Sequence, residues 1–289
     1  MKLPNIYELL TMSQSDLMVY LVENVELHVG SNKYLLYRKN NEPKPLLCVH
    51  LDTINTMSRL DELMTMNDLY LDMNSTIYLS DTSKMRCLGA DDRAGVWIAL
   101  QLIKYMEETK NYKYDIGFFT DEEVGGVGSD EYRLDYPIDN NTCYIGLDRR
   151  NAMPNVHEVA TYGYDNDELI EHFNRLGYNT VNGSFTDASN IAGSKACVNL
   201  SVGYNHEHSI RETLHIPSME YTLDTLISMN LPHKIYACDG RGDDYEYGYE
   251  LEDNSWELDI LYDENKAMRA YIKSLGEDPE DIINYYFYE

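Results

Sequence analysis

The sequence predicts an α/β fold in which helices cover a mixed, mostly parallel twisted sheet. Segments typical of buried strands alternate with segments typical of helices, and this order favours parallel strands joined by helical crossovers. Four short apolar runs are the candidate buried strands, and an apolar helix lies between the first two. The runs are residues 45–50, 114–120, 142–147 and 196–202, and the helix is residues 94–106.

Further elements are expected around this sheet. A helix over residues 6–25 opens the chain, with Ser15 a candidate cap for its second part. Hairpins are expected over residues 26–39 and within residues 69–88. An amphipathic helix over residues 165–176 ends at Gly177, and residues 218–229 form the last predicted helix.

Composition excludes several classes of protein. The 289 residues carry 23 lysines and arginines against 50 aspartates and glutamates, a formal net charge of -27. Such a chain has no surplus of cations for phosphates, so we expect neither nucleic-acid nor anionic-membrane binding. We expect no membrane span and no secretory signal, because no apolar run of the required length is present. Five cysteines without a CxxC pair predict reduced thiols and a cytoplasmic protein.

The composition changes after Asn230. Residues 231–289 carry 16 acidic and 5 basic side chains, a net charge of -11, and tyrosines that alternate with acids. Because tyrosine buries well, this aromatic content argues against outright disorder. We therefore predict a main, catalytic domain over residues 1–230 and an acidic, tyrosine-rich extension over residues 231–289.

Five polar motifs follow predicted strands and contain side chains that bind metals. Residues i and i+2 of a strand share a face, so His50 and Asp52 can point the same way. Three consecutive acids repel one another unless a cation or a proton offsets their charge. The motifs are HLDT at 50–53, GADDRAG at 89–95, TDEEVGG at 120–126, the strand-ending Asp148, and HEHSIRE at 206–212.

Each motif alone has an ordinary structural explanation, such as a helix cap, an exposed histidine or a solvated acidic loop. Together they place histidines and acids behind successive predicted strands, at the sheet edge where ligands bind in open α/β folds. Packing alone seldom produces this coincidence, and the donor set suits a metal centre. His206 and His208 remain alternatives for the last ligand.

In this order the motifs resemble those of the two-zinc exopeptidase clan. The clan includes leucyl-type aminopeptidases, peptidase T-like tripeptidases and tetrahedral glutamyl aminopeptidases. The resemblance runs from about residue 46 to residue 212, and GADDRAG followed by a pair of glutamates is its most specific part. It implies two Zn2+ ions, with Co2+ or Mn2+ as possible substitutes. One ion would be held by His50 and Asp148, the other by Glu123 and His208, with Asp91 as the bridge.

The same resemblance implies roles for neighbouring residues. Asp52 would orient His50, and Glu122 would be the general base. The peptide bond between Asp91 and Asp92 would be cis. The H-S-x-x-E pattern favours His208 over His206. The segment GSFTDA at 183–188 also resembles a clan motif, although a helix cap explains it equally well.

Spacing separates the subfamilies of this clan. Relatives insert a lid, dimerisation or assembly domain either between the first histidine and the bridging aspartate or before the last histidine. Here these intervals are 41 residues, from His50 to Asp91, and 60 residues, from Asp148 to His208. We therefore expect a zinc-dependent exopeptidase core with no inserted domain, and a monomer.

The resemblance implies a zinc metallopeptidase, most simply an aminopeptidase that removes N-terminal residues from short peptides. Two other functions stay open: an amidohydrolase that deacylates small N-acyl metabolites, and a non-catalytic binding protein with an acidic surface. The net charge favours neutral or cationic peptides as substrates. Arg149 and Arg150 are the local exception, because they could bind a substrate carboxylate if they face the cleft.

Overall fold

A central eight-stranded sheet carries helices on both faces. The computed structural model describes residues 3–55, 64–137 and 139–238. The chain divides into two units, residues 1–244 and 245–289, and all described residues belong to the first unit. The strands of this sheet are β1 (His28–Gly30), β2 (Tyr34–Tyr37), β3 (Leu46–His50), β6 (Asp115–Phe119), β7 (Tyr144–Arg149), β8 (His157–Thr161), β9 (Tyr178–Asn182) and β10 (Cys197–Ser201).

The sheet is mixed and mostly parallel at its centre, as predicted. Its strand order is β1-β2-β6-β3-β7-β10-β8-β9. Strands β6, β3, β7 and β10 run parallel to one another, and β8 runs parallel to β9. The pairs β1–β2, β2–β6 and β8–β10 are antiparallel. All four predicted strand runs lie in the parallel centre, where every residue of β3, β6 and β10 is buried because helices cover both faces.

Seven helices accompany the described strands. Helix α3 packs against β3 and β7, and helices α1 and α7 pack against α3 on that face, whereas α4 and α6 cover the other face. The helices are α1 (Ile6–Leu10), α2 (Gln14–Asn24), α3 (Ala90–Thr109), α4 (Val127–Asp135), α5 (Asp167–Arg175), α6 (Asp187–Ile191) and α7 (Ile216–Ser228). In the described residues, no helix is long and apolar enough to cross a bilayer.

The first predicted helix is in fact two helices. The chain leaves the helical path between α1 and α2, and the Oγ atom of Ser13 accepts a hydrogen bond from the backbone N–H of Asp16 at 3.1 Å. Ser13 therefore caps α2, and the choice of Ser15 was wrong. One residue separates these serines, and only the backbone path decides which one precedes the first turn.

A small second sheet lies beside the central one. It is antiparallel, with the order β11-β12-β5-β4, and residues 85–88 are not part of it. Its strands are β4 (Leu69–Leu71), β5 (Thr76–Leu79), β11 (Tyr204–Asn205) and β12 (Thr213–His215). The sequence predicted a hairpin formed by residues 69–79 and 85–88, but the turn lies inside the first of these segments, between β4 and β5. The pairing of β5 with β12 was not predicted, because β12 is three residues long and more than 130 residues away.

No lid domain interrupts the core within residues 148–208, all of which the structure describes. That interval forms β8, α5, β9, α6, β10 and β11. Residues 231–238 remain against the central unit, since the backbone N–H of Tyr236 donates to the carbonyl of Thr142 at 2.9 Å. Residues 239–289 lie outside the described residues, so the acidic extension stays a prediction.

Candidate metal centre

The carboxyl ends of three parallel strands bring the predicted site residues to one edge of the sheet. His50 ends β3, Glu122 and Glu123 lie in the turn that follows β6, and Asp148 is the penultimate residue of β7. Strand β3 lies between the other two, so all three ends are adjacent. Ligands of open α/β folds bind at such an edge.

The start of helix α3 places Asp91 and Asp92 beside these strand ends. The peptide bond between them is cis, which confirms the expectation drawn from the family resemblance. Close approach of α3 to β7 depends on Gly95, because a Cβ atom there would lie 2.0 Å from the carbonyl oxygen of Leu147. The two aspartates consequently meet the strand ends, and they do so in different ways.

Asp91 lies between the two histidines of the site. Its Oδ1 atom is 3.0 Å from Nε2 of His50, and its Oδ2 atom is 3.2 Å from Nε2 of His208. Each histidine also faces a second acid. His50 Nε2 is 3.5 Å from Asp148 Oδ1, and His208 Nε2 is 3.0 Å from Glu123 Oε1. The result is a chain of alternating carboxylates and imidazoles with Asp91 at its centre.

Asp92 instead accepts hydrogen bonds from the backbone. Its two carboxylate oxygens accept from the N–H groups of His50, at 3.1 Å, and of Gly95, at 3.0 Å. The side chain is fully buried, so it fixes the end of β3 against the first turn of α3. Asp92 also lies near enough to His50 and Asp148 for the three to share a cation.

Two further carboxylates hold the site by accepting pairs of backbone hydrogen bonds. Asp52 accepts from the N–H groups of Glu122 and Glu123, both at 3.0 Å, and its Oδ1 atom is 3.3 Å from Nδ1 of His50. Glu212 accepts from the N–H groups of Gly89, at 2.9 Å, and of Asp91, at 3.0 Å. Asp52 thus lies beside His50 where the resemblance implied an orienting acid, and it also fixes the glutamate turn.

His206 lies apart from this cluster. It lines a neighbouring pocket beside Arg211, whereas His208 lines the cleft that contains Asp91 and Glu123. Both histidines have a left-handed backbone, with φ of 56° and 59°. The geometry therefore brings His208 to the predicted site and leaves His206 outside it.

Three residues near Asp148 were not singled out from the sequence as site residues. Asn199 accepts from the backbone N–H of Asp148 at 2.9 Å, and the hydroxyl of Tyr204 donates to its carboxylate at 3.1 Å. Asp187, in the first turn of α6, is buried and has one carboxylate oxygen without a hydrogen-bond partner. The GSFTDA motif was the signal for Asp187, but isolated residues such as Asn199 and Tyr204 carry no comparable signal.

Crowding of buried acids shifts the pKa values of the site. Burial, together with the charge of Asp91, raises the pKa of Asp148 to about 7. Burial raises the pKa of Glu122 to about 9 against the opposing charge of His50, with Asp148 adding repulsion. Hydrogen bonds to Asp91 and Glu123 raise the pKa of His208 to about 11. These carboxylates therefore compete for protons, and an added cation would relieve their repulsion.

The donor atoms fit a metal ion. One ligand atom from each of His50, Asp91 and Glu123 lies within 4.8 Å of the others, and the same holds for His50, Asp92 and Asp148. Imidazole nitrogens and carboxylate oxygens are the ligands of zinc in catalytic sites. The arrangement can hold cations at this edge and leave room for a substrate.

A cleft of about 220 Å3 opens over the cluster. Its walls combine the acids and His208 with two arginines and three aromatic side chains. The lining residues are Asp91, Glu122, Glu123, Asp148, Arg149, Arg150, Tyr162, Ser184, Phe185, Tyr204, Glu207 and His208. Both arginines that follow Asp148 thus face the cleft.

This fold and this site together define the class of metal-dependent exopeptidases. The model of peptidase family M28 matches residues 35–198, more than half of the chain, and the chain belongs to that family. The matched segment contains every predicted site residue except His208, which lies beyond it. Among curated proteins, no sequence match was found.

Solved structures with the same fold include known aminopeptidases. A tripeptidase from Staphylococcus aureus subsp. aureus Mu50 is 15% identical, with 77% of this chain and 95% of that chain covered and a TM-score of 0.56. The aminopeptidase PepT of Bacillus cereus ATCC 10987 is 14% identical, with the same coverage and a TM-score of 0.59. A TET aminopeptidase from Thaumarchaeota archaeon SCGC AB-539-E09 is 11% identical, covering 77% and 94%, with a TM-score of 0.56. At these identities the similarity shows the fold.

Proposed function

We propose that this protein is a two-zinc aminopeptidase that removes N-terminal residues from short peptides. The observation that carries the proposal is the position of Asp91, whose two carboxylate oxygens face different histidines at 3.0 and 3.2 Å. A carboxylate placed in this way can bridge two cations. Membership of peptidase family M28 supports hydrolysis of a peptide bond.

The side chains divide into two sets of ligands around Asp91. His50 and Asp148 would hold one ion, and Glu123 and His208 would hold the other. Asp52 would keep the ring of His50 in place and hold the turn that presents Glu123, because it contacts both elements. When bound, zinc polarises the substrate carbonyl and makes a coordinated water acidic near neutral pH.

Glu122 would carry the proton in this reaction. It lines the cleft next to Glu123, and Asp52 fixes its backbone by accepting its N–H. Burial and the charge of Asp148 raise the pKa of Glu122, and a cation bound beside these acids would lower it again, so this carboxyl can both accept and release a proton. Glu122 would accept a proton from the attacking water and deliver it to the leaving amine.

An aminopeptidase is favoured over a deacylase because five of the twelve residues that line the cleft are acids. The negative charge of these acids attracts a free α-ammonium group, which N-acyl metabolites lack. The fold neighbours described as aminopeptidases and as a tripeptidase support the same substrate class. A reducing, cytoplasmic location is part of the proposal, since all five cysteines are free thiols. A monomer is also proposed, since no dimerisation domain interrupts residues 148–208.

Metal content and a substrate screen test the proposal together. The chelated protein is reloaded with zinc, metal equivalents are measured, and aminoacyl-anilides are compared with N-acetyl amino acids. We expect two equivalents and hydrolysis of the anilides alone. Hydrolysis of only the N-acetyl compounds would identify a deacylase instead. A protein that binds no zinc and cleaves neither class would support a non-catalytic binding role.

A further inference from the structure

Two arginines change the electrostatic character of one wall of the cleft. Arg149 and Arg150 directly follow Asp148, and both line the cleft. Among the described residues that line the cleft, they are the only lysines or arginines. The other ionisable residues named there are acids and His208, apart from tyrosines. The chain as a whole carries a net charge of -27, so cations in this position are not explained by composition.

Each arginine forms an ion pair with one glutamate, and that contact uses only part of its guanidinium group. The Nε atom of Arg149 lies 3.3 Å from Glu158, whose side chain is largely buried. The NH1 atom of Arg150 lies 2.7 Å from Glu207, which precedes His208 in the chain. Guanidinium has five N–H donors in a planar fork, so one contact leaves donors for a further acceptor.

The two arginines differ in how firmly they are held. The side chain of Arg149 is 22% exposed, and its pairing with Glu158 ties it to β8. The side chain of Arg150 is 50% exposed and is anchored to the loop that carries His208. Arg149 is therefore a fixed part of the wall, and Arg150 stands at its rim with more freedom to meet a ligand.

The size of the cleft limits where a matching anion can lie. Its volume of about 220 Å3 is below the ~300–1,000 Å3 typical of pockets for drug-sized ligands, so a short substrate fits. One peptide residue spans at most ~3.6 Å, so the terminal carboxylate of a dipeptide lies about one residue beyond the bond that is cut. An acidic side chain on the first residue lies at a comparable distance.

We infer that Arg149 and Arg150 bind a substrate carboxylate, so that the preferred substrates are short peptides carrying a carboxylate near the scissile bond. This inference rests on the proposed function. Arginine forks match carboxylates in bidentate geometry, which gives specificity as well as attraction. The carboxylate is either the free C-terminus of a di- or tripeptide or the side chain of an N-terminal Glu or Asp. Both sources present the same group to the same wall.

Two substrate pairs distinguish the sources. Leu-Leu against Leu-Leu-amide tests the terminal carboxylate, and Glu-anilide against Gln-anilide tests the side chain. For the source that is recognised, we expect wild-type kcat/KM to be about tenfold to a hundredfold higher for the carboxylate member, the range for a hydrogen bond to a charged group. Arg149→Gln and Arg150→Gln should each reduce that ratio, and Arg150→Lys should restore it incompletely.

The matched control is Arg175→Gln on α5, which removes the same charge from an exposed ion pair with Glu171. It should leave both ratios at the wild-type values. Thermal unfolding of each variant checks that the fold is intact. Ratios near one for both pairs, or ratios that survive in the double variant, would overturn the inference.

Binding without turnover separates this inference from the proposed function. Calorimetric titration of the zinc-loaded protein compares glutamate with glutamine, and titration of zinc-loaded Glu122→Gln compares Leu-Leu with Leu-Leu-amide. If the anilides and peptides are not hydrolysed, the proposed function fails, and the titrations still test the arginines. If hydrolysis occurs at equal rates within both pairs and the titrations show no preference, the carboxylate inference alone fails.

Discussion

Both ends of the central sheet bury carboxylates, but the protein neutralises them differently. At the amino end of the parallel strands, Asp115 is buried with Arg38 at 2.7 Å and Lys44 at 3.9 Å, and Asn141 donates to it at 3.1 Å. At the carboxyl end, buried acids outnumber the cations around them. Those acids are Asp52, Asp91, Asp92, Asp187 and Glu212.

Within the described part of the chain, the buried arginine near the carboxyl-end cluster, Arg93, does not bond to those acids. Arg93 is fully buried and donates to the carbonyl oxygens of Leu51, at 2.7 Å, and of Met12, at 3.1 Å. Its charge acts on Asp52 and Asp92 from a distance, and burial lowers its own pKa to about 10. The amino-end cluster thus contains its own cations, whereas the carboxyl-end cluster has the composition of a site completed by a bound cation.

The largest effect on turnover is expected from replacing Glu122, the proposed proton carrier at the carboxyl ends of the parallel strands. Glu122→Gln keeps the size of the side chain but cannot accept a proton from water. We expect kcat to fall by about 10²- to 10⁴-fold while the zinc content stays at two equivalents. Turnover and metal content measured on the same preparation check this. The exposed Glu220→Gln on α7 is the control, and near-wild-type turnover in Glu122→Gln would remove this residue from the mechanism.

One Asp-to-Asn substitution in each cluster tests whether the carboxyl-end cluster binds metal and the amino-end cluster is structural. Asp91→Asn should lower bound zinc below two equivalents, because the variant loses the charge between the two histidines. Asp115→Asn should leave zinc content unchanged but lower the free energy of unfolding by about 3 kcal/mol, because it leaves the buried Lys44 and the largely buried Arg38 without a charged partner. Metal analysis and urea unfolding of both variants measure the two effects.

The stability loss expected for Asp115→Asn follows from the burial of the Asp115 carboxylate. Burial raises the pKa of Asp115 even though Arg38 opposes the shift, so the ion pair does not fully offset desolvation. Removing one partner still costs free energy, because the other charge remains buried. If Asp115→Asn lost zinc, or Asp91→Asn retained both equivalents, the distinction between a structural and a metal-binding cluster would be wrong.

The sequence predicted the centre of the fold well because local patterns determine it. The segments that became β3, β6, β7 and β10 are mostly apolar, and polar residues follow each of them within a few positions. The family resemblance then placed the site residues in order along the chain. The geometry brought His50, Asp91 and His208 together as that order implied.

What the sequence could not predict depends on contacts between distant residues. Strand β8 and strand β9 have mixed polarity, and β12 is a three-residue strand held by its pairing with β5 and β11. The same is true of side-chain positions. Asn199 and Tyr204 reach Asp148 through the packing of β10 and β11 beside β7, which no short motif records.

Two buried histidines, His50 and His157, have pKa values shifted in opposite directions. The acids around His50 raise its pKa above the ordinary value, although burial opposes them. His157 is buried against Tyr221, with ring centroids 3.8 Å apart and planes 12° from parallel. Burial, and to a smaller extent the charge of His215, lowers the pKa of His157 below 6.5. His157 is therefore stable in the fold as the neutral form.

The smallest expected effect follows from this lowered pKa. Below about pH 6.5 the unfolded chain binds a proton at this position more readily than the folded protein does, so stability falls as the pH falls through that value. Above it, both states are neutral and the contribution is constant. In His157→Phe, the loss of unfolding free energy between pH 7.5 and pH 5.5 should be smaller than in the wild type, measured by urea titration of chelated protein. His28→Phe, at an exposed position of β1, is the matched control. Equal losses in wild type and His157→Phe would show that the buried stack does not contribute to acid sensitivity.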